Sequence, residues 1–474
     1  MDRNVSARPG KSPEAQVTKI ERFQVLTPNY GSHQSTATSI SSDINLESTS
    51  NEILYNFPIL LDNQGQPWDI ANLYLIHRYH HTLNYNHRTY ASIADHLLDY
   101  RRFLDSEDID YLHFPKLKQL KSTYRFKKHI EGEIDSGRMT LDTGKKRMSG
   151  IHRFYKNILK FKLIDPDLIV EAPYEEVIRY IETTTDFGLK TFITVSSSDL
   201  ALQGSKALPD PDFIYDDGKT KPLTMQDQMV LLEALKKCDR AYQLLFYLAI
   251  FTGARLQTLS TIRICDLNRQ LDYEGNLRLP VGAGTGIDTK KKARMTIIIP
   301  GWLVDELKIY IQCSVAQGRR ESSYYGDSES NYIFLTSKGT PFYTSKQEMK
   351  ERLTGDTTST NFGQPYSHTE GEAVRQFLQT LIRDIQKTSP DFERFKFHDL
   401  RATFGMNLLE DELDRPDRKP ITAILELVQQ RMGHRNKEIT LQYLNYRSRI
   451  EWKNHVQDQF ESKLFSHVVR GRSE

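Results

Sequence analysis

The spacing of apolar residues predicts helices in the block from about residue 85 to residue 170. Apolar side chains recur at intervals of three and four along residues 93–104 and 148–158, which is the spacing of one face of an α-helix. Thr140 stands ahead of the second stretch, at a position suited to a helix N-cap. Nearer the N-terminus, residues 53–61 are typical of a strand and residues 68–80 of a short helix.

The second half combines helices with a small sheet. A helix is predicted to begin after Thr224, and a strongly apolar helix covers residues 243–251. Two strand-like runs, Leu277–Val281 and Met295–Ile299, flank a stretch rich in glycine and lysine. Helical spacing then returns, with one further short strand at residues 332–335. The whole pattern predicts a mostly α fold with a small antiparallel sheet, in which a helical domain precedes an α+β domain.

Changes of composition set the predicted domain boundaries. Residues 1–50 contain fourteen Ser and Thr, and their few large apolar side chains bury too little surface to offset ordering entropy, so a disordered tail is predicted. Residues 201–222 are rich in proline and are interpreted as a linker. The other blocks are a small module of unknown role at residues 51–84, a helical domain at 85–200, a second domain at 223–465 and a tail at 466–474.

Positive charge is concentrated in the helical domain. The whole chain has a formal net charge of only +2, but residues 115–163 contain fourteen Lys and Arg against four Asp and Glu. A helix there would carry its basic side chains opposite its apolar side, and that face is a candidate for contacts with nucleic-acid phosphates. A solvated surface face is the alternative interpretation. The candidate contact residues are Lys145, Lys146, Arg147, Arg153 and Lys156.

Cysteine content and hydropathy predict a protein of a reducing compartment. Cys238, Cys265 and Cys313 are too few and too scattered for a disulfide framework or a zinc site. The longest apolar runs fall far short of a membrane span, and the N-terminus has no apolar signal segment. We therefore expect a cytoplasmic location and no membrane partner.

Four short segments of the second domain carry chemically active side chains. Each segment contributes a cationic, basic or nucleophilic group. One of these motifs alone would be weak evidence of function. In chain order they are Arg255 beyond a glycine-terminated apolar helix, the lysines at 290–292, His398 with Arg401 three positions later, and His434 with Tyr443 nine positions later.

Together these segments resemble the tyrosine recombinase, or phage integrase, family. Its catalytic domain carries Arg, Lys, His-x-x-Arg, Gly-His and a nucleophilic Tyr in this order. The resemblance covers residues 223 to about 465 and, more loosely, the basic helical block at 85–200, which looks like the family's core-binding domain. It implies an enzyme that cuts and rejoins DNA through a 3′-phosphotyrosyl link, with neither a metal nor a cofactor.

The chemistry of metal-free phosphodiester cleavage makes the same demands on the residues. It needs a protein nucleophile, neutralisation of charge on the non-bridging oxygens and protonation of the leaving 5′ oxygen. Arg255 and Arg401 suit the second task, because a guanidinium stays charged and donates paired hydrogen bonds. His398 and His434 are suited to orienting the phosphate and handling the tyrosine proton. Taken alone, Arg255 could equally cap its helix, and each histidine could be an ordinary half-buried one.

The general acid and the nucleophile each have a neighbouring rival. Lys292 is favoured as the acid by its distance from Pro300, where the family's second strand ends, and Lys290 is the alternative. Tyr443 is favoured as the nucleophile by the family spacing, whereas Tyr446 is expected to pack. A phenol of pKa about 10 is a poor nucleophile unless cationic neighbours help it to ionise.

The chain also departs from the family pattern. Thr258 stands where an acidic residue often supports the first Arg, and the hairpin after residue 281 is long. Further insertions are expected at residues 314–365 and 410–420. None of these differences removes a catalytic residue.

The resemblance implies partners, and several other functions compete with it. Four protomers would synapse two double-stranded DNA sites in the nucleoid, with accessory DNA-bending or directionality proteins. The unusual additions favour an integrase of a mobile element. The competing functions are a type IB topoisomerase, a DNA-binding protein without catalysis and a metal-dependent nuclease.

Overall fold

The chain folds as two compact units, Met1–Lys206 and Ala207–Glu474. Each unit has a hydrophobic core of its own. The computed structural model describes residues 14–29, 45–82, 85–184, 190–204, 210–290, 293–354, 368–434 and 436–450. Within these ranges no helix is both long enough and apolar enough to cross a membrane.

The first unit joins two antiparallel hairpins to a group of helices. In chain order its elements are β1 (Gln16–Asn29), β2 (Asn45–Leu61), α1 (Asp69–Thr82), α2 (His87–Glu107), α3 (Ser122–Asp135), α4 (Leu141–Lys160), β3 (Glu176–Thr184) and β4 (Lys190–Ser198). Strands β1 and β2 pair with Val17 opposite Leu60, and their register shifts between Gln24 and Leu26.

Helix α4 has an apolar and a basic side, as its sequence predicts. The Thr140 hydroxyl caps the first turn by accepting from the Thr143 amide at 3.3 Å. Met148, Ile151 and Ile158 are buried in the core, because their spacing places them on one side of the helix. The basic residues of the helix are left on its outer side.

The predicted disorder of residues 1–50 is wrong for the part that the structure describes. This part pairs as β1 and the start of β2, and Phe23 stacks on Phe57 with ring centroids 4.4 Å apart. Strand pairing satisfies the backbone of a polar segment, and the cross-strand aromatic contact supplies the burial that composition did not reveal. Residues 1–13 and 30–44 lie outside the described residues.

The predicted separate module at 51–84 merges with the helical block. Phe57 and Trp68 lie in one hydrophobic core with Tyr100 and Phe154. The rings of Trp68 and Phe154 are 5.9 Å apart. The pattern located the strand and the helix of this segment, but it could not show which surface they cover.

The second unit packs its helices around two short hairpins. In chain order its elements are β5 (Ile214–Tyr215), β6 (Lys219–Thr220), α5 (Met225–Leu235), α6 (Arg240–Thr252), α7 (Leu256–Ser260), β7 (Leu277–Val281), β8 (Met295–Ile299), α8 (Gly301–Gln312), α9 (Ser314–Glu321), α10 (Lys346–Thr354), α11 (Glu372–Thr388), α12 (Asp399–Asp414), α13 (Ile421–Met432) and a helix at residues 437–450. Strands β7 and β8 are confirmed as predicted, and the Thr224 hydroxyl caps α5 by accepting from the Asp227 amide at 3.1 Å.

The predicted strand at residues 332–335 is wrong. Its two ends make isolated bridges instead, Tyr332 with Arg263 and Leu335 with Pro341. Because each end pairs with a different segment, no continuous ladder forms.

Most of the predicted linker at residues 201–222 is folded into the second unit. Strands β5 and β6 form a small hairpin with Ile214 opposite Thr220. The Ile214 side chain is buried in an apolar cluster with residues of α12 and α13, which anchors the segment in spite of its prolines. Residues 205–209, and at the C-terminus the predicted boundary and tail within 451–474, lie outside the described residues.

Candidate active site

A left-handed glycine places Arg255 at the site. Gly253 ends α6 with φ 64°, and a Cβ there would lie 2.3 Å from Cδ1 of Phe404. Only glycine meets both requirements at low cost. The chain therefore turns sharply, and Arg255 stands at the start of α7.

Arg401 joins three parts of the second unit. Its side chain is 2% exposed, and its Nη1 donates to the Gly253 carbonyl at 2.8 Å. Its Nη2 donates to the Met432 carbonyl. These carbonyls lie at the C-terminal ends of α6 and α13, where a cation is stabilised by the helix dipole. His398 precedes α12 and Arg401 lies in its first turn, so the N-terminal end of this helix carries both predicted residues.

His434 and Tyr443 follow the end of α13. Gly433 ends that helix with φ 65°, and Nδ1 of His434 lies 3.0 Å from Oγ1 of Thr440. Tyr443 is fully buried, and its ring centroid lies 5.7 Å from that of His434. The rival Tyr446 is buried in the apolar cluster of α12 and α13.

Because Gly405 of α12 has no side chain, the ring of Tyr443 can pack directly against this helix. A Cβ at Gly405 would lie 2.6 Å from Cε1 of Tyr443. Alanine in a helix normally stabilises by about 0.5–1 kcal/mol, but overpacking costs about 1–3 kcal/mol. We therefore expect Gly405→Ala to lower the free energy of unfolding by about 1–2 kcal/mol in urea denaturation.

Gly318→Ala is the matched control for this prediction. Gly318 lies in α9 of the same unit, and a Cβ there would meet no atom within 4 Å. The control should gain about 0.5–1 kcal/mol. Equal gains in both variants would contradict the packing that places Tyr443.

Asp216, which the sequence did not single out, lies at the centre of the site. Its Oδ2 accepts from Nε of Arg401 at 2.7 Å and lies 3.1 Å from Nε2 of His434. The Tyr443 hydroxyl is directed at the same oxygen, at 3.5 Å. The Asp216 backbone carbonyl lies 2.9 Å from Nε2 of His398. One residue of the β5–β6 turn thus contacts four predicted catalytic residues.

Asp217 engages the remaining cations. Its carboxylate pairs with Arg255 and lies 3.1 Å from Nζ of Lys290. Nη2 of Arg255 also lies 3.7 Å from the Asp216 carboxylate. Lys292, the favoured general acid, lies outside the described residues, so the structure places only its rival at this site.

The charges of the site perturb its titrating groups in opposite directions. Burial alone would raise the pKa of Asp216, but the hydrogen bond with His434 and the charge of Arg401 hold it well below its usual range. Burial raises the pKa of the Tyr443 phenol well above its usual range, and the negative Asp216 raises it further. Burial also lowers the pKa of His398. In this arrangement Tyr443 is a protonated phenol, not a phenolate.

The arrangement suits an anion rather than a metal ion. Arg255 and Arg401 place two guanidinium groups within 3.7 Å and 2.7 Å of the Asp216 carboxylate. Fixed positive charges so close to this carboxylate oppose the binding of a metal cation. Nε of Arg255 is buried and has no hydrogen-bond partner among the described residues, so a donor is left for a further acceptor.

A second candidate site, the basic groove, lies within the first unit. Its lining includes Lys145, Lys146 and Arg153 of α4 with Arg78 of α1 and Arg88 of α2. Arg78 and Arg88 were not predicted from the sequence, because the segments that carry them contain no run of charged residues.

The other two predicted DNA contacts are placed differently. Arg147 pairs with Asp99 at 2.6 Å, and Lys156 is exposed but does not line the basic groove. The strongest candidates for phosphate contacts are therefore the basic residues that line the groove, three from α4 and one each from α1 and α2.

Comparison with known proteins identifies a domain within the second unit. Residues 221–449 match the model of the phage integrase family. No curated protein matches the chain.

Solved structures resemble the chain at low identity. An integrase of the Tn1549 transposon, in complex with circular-intermediate DNA, is 15% identical over 81% of this chain and 98% of that one, with a TM-score of 0.44. XerH recombinase bound to difH is 15% identical over 75% and 76%, with a TM-score of 0.42. A lambda integrase dimer on a COC′ core site is 14% identical over 78% and 93%, with a TM-score of 0.42.

Proposed function

The chain carries a domain of the phage integrase family, the tyrosine recombinases, and from that premise we propose that this recombinase cuts and rejoins specific DNA sites through a 3′-phosphotyrosyl intermediate. The observation that carries the proposal is the convergence of five predicted residues on the acidic turn of Asp216 and Asp217. Arg401, His434 and Tyr443 face the Asp216 carboxylate, Arg255 pairs with the Asp217 carboxylate, and His398 faces the Asp216 backbone carbonyl. A scissile phosphate is an anion of similar size to one of these carboxylates. The free Nε donor of Arg255 adds a further contact for it.

The proposed reaction is a transesterification. The Tyr443 oxygen attacks phosphorus as its proton passes to a histidine, and the bond between phosphorus and the 5′ oxygen breaks. Lys292, or Lys290 in its place, gives a proton to the leaving oxygen. Arg255 and Arg401 hold the non-bridging oxygens, whose charge grows in the transition state. A partner strand's 5′-hydroxyl reverses the steps, so bond energy is conserved without ATP.

Assembly and biological role follow from the same proposal. Four protomers synapse two double-stranded DNA sites and exchange strands, with accessory DNA-bending or directionality proteins where the sites require them. Integration of a mobile element is the proposed role, and a cytoplasmic, nucleoid-associated location is the proposed place.

The basic groove is proposed to hold the DNA backbone. We expect Lys146→Ala and Arg153→Ala each to weaken duplex binding about equally for all sequences, and to reduce the slope of log affinity against log salt by about one. Fluorescence anisotropy at several salt concentrations measures both effects. Lys128→Ala, an exposed change on α3 outside the groove, is the control. An unchanged slope in both groove variants would contradict the assignment.

Trapping of covalent complexes tests the function against its rivals. Nicked duplexes covering the DNA that flanks the gene are incubated with the protein and a chelator, and adducts that survive denaturation are counted. A recombinase gives adducts in the chelator, whereas a metal-dependent nuclease loses its activity. A DNA-binding protein gives salt-sensitive binding alone. A type IB topoisomerase also forms adducts in the chelator, and relaxation of supercoiled DNA by the monomer distinguishes it.

A further inference from the structure

The β5–β6 turn fills the place that the proposed reaction needs for DNA. Asp216 contacts His398, Arg401, His434 and Tyr443, and Asp217 pairs with Arg255 and Lys290. Every predicted catalytic residue that the structure describes is thus in contact with this turn. The Asp216 side chain is only 3% exposed, so a phosphate cannot reach these donors while the turn is in place.

A carboxylate is a reasonable stand-in for the phosphate oxygens. Both groups present two anionic oxygens to the same forked and ring N–H donors. Here one oxygen of Asp216 accepts from Arg401 and faces His434, while the other lies toward Arg255. Asp217 extends the negative charge to Lys290. The turn therefore pairs with the charges that a scissile phosphate would meet.

The hairpin is held at its base and weakly built at its tip. Ile214 is buried, the Tyr215 amide donates to Oε1 of Gln442 at 2.8 Å, and the Lys221 amide donates to Oδ1 of Asp399 at 3.2 Å. The two strands have only two residues each, and Asp217 adopts a left-handed φ of 57°. Because the strand pairing is so short, the tip is held mainly by the contacts of Asp216 and Asp217 with the site residues, and an entering phosphate can take over those contacts while the base stays.

We propose that Asp216 and Asp217 form an internal plug, which occupies the scissile-phosphate site of the free recombinase and must leave when DNA enters. The proposal rests on the proposed function and adds a control step to it. While the plug is in place, the scissile phosphate cannot enter the site and Tyr443 has no substrate to attack. Its departure removes the negative charge next to Tyr443 and leaves the two guanidinium groups, which favours ionisation of the phenol.

The alternative is that Asp216 stays in place with DNA bound and positions Arg401 and His434. The two cases predict opposite effects on the reaction rate when the carboxylates of the turn are neutralised. Removing a plug exposes the anion site and speeds the reaction, whereas removing a positioning residue slows it.

The first test uses inorganic phosphate as a probe that needs no DNA site. Phosphate binding to the full chain is followed by ³¹P line broadening for wild type, Asp216→Asn/Asp217→Asn and Asp305→Asn. Asp305 is an exposed carboxylate of α8, so its variant controls for the loss of charge. We expect the double variant to bind about tenfold more tightly, as when an open state rises from roughly a tenth of molecules to most of them. Equal affinity in all three proteins would overturn the proposal.

The second test follows the turn and the reaction separately. Hydrogen exchange of residues 210–221 should rise when a nicked duplex is added, and the double variant should form adducts about tenfold faster than wild type. Continued protection with bound DNA, or slower adduct formation in the variant, would establish a positioning role instead. If no protein forms an adduct, the proposed function fails while the phosphate and exchange readouts still decide the plug. Should the double variant unfold, Asp217→Asn serves, because Asp217 is exposed.

Discussion

Tyr443→Phe should abolish the covalent DNA complex while leaving DNA binding intact. The change removes one oxygen and keeps the ring that fills the space against Gly405. The contact of the hydroxyl with Asp216 at 3.5 Å is long, so the free energy of unfolding should change by less than about 1 kcal/mol. Loss of a nucleophile costs about six orders of magnitude in a well-studied protease, and a comparable loss puts adducts below detection.

Tyr446→Phe is the matched control. Both tyrosines lie in the same helix, and both rings belong to the apolar cluster of α12 and α13. The control should form adducts at the wild-type rate in gel assays that resolve protein–DNA complexes after denaturation. Adducts that persist in Tyr443→Phe and vanish in Tyr446→Phe would transfer the role to the second phenol.

Arg401→Lys should cost both catalysis and stability. Arg401 donates to Asp216 and to the carbonyls of Gly253 and Met432, and lysine keeps the charge but not the fork. Loss of one preorganised donor lowers rates by about 10²–10³-fold, which we expect in single-turnover cleavage of nicked duplexes. The buried carbonyls lose partners, so the free energy of unfolding should fall by about 1–3 kcal/mol.

Arg255→Lys separates the loss of catalytic rate from the loss of stability that is expected of Arg401→Lys. Among the described residues the Arg255 side chain pairs with the β5–β6 turn and donates to no helix-end carbonyl, so this variant should lose rate without a comparable loss of stability. Arg383→Lys, an exposed change on α11, should leave both quantities unchanged. Wild-type cleavage by Arg401→Lys and Arg255→Lys would show that neither guanidinium holds the phosphate.

Elements were predictable from the sequence where local signals decide them. Strands β7 and β8 have the predicted bounds, and the hydroxyls of Thr140 and Thr224 cap the helices that they were expected to begin. These features depend on alternation, spacing and caps within a few residues. Phe23 shows the limit, because its strand is stabilised by a partner about thirty residues away.

The residues of the candidate site were singled out from the sequence by type and order, but Asp216, the carboxylate at their centre, was not. Asp216 lies 185 residues before Arg401 and 227 before Tyr443, within a stretch whose prolines favour a linker. A local signal was present: an Asp-Gly turn between Tyr215 and Lys219 is typical of a hairpin. That signal predicts the turn, whereas its insertion among the predicted catalytic side chains depends on tertiary packing. Such an exception to local rules is expected at a functional site.

The most direct measurement is the mass of the peptide that carries DNA in the trapped adduct. The adduct is formed with the wild-type chain in chelator, digested with nuclease and protease, and sequenced by tandem mass spectrometry. We predict a nucleotide on Tyr443, joined to the phenol oxygen through its 3′ phosphate. Attachment to Tyr446 or to another residue, or cleavage that leaves no linked peptide, would contradict it.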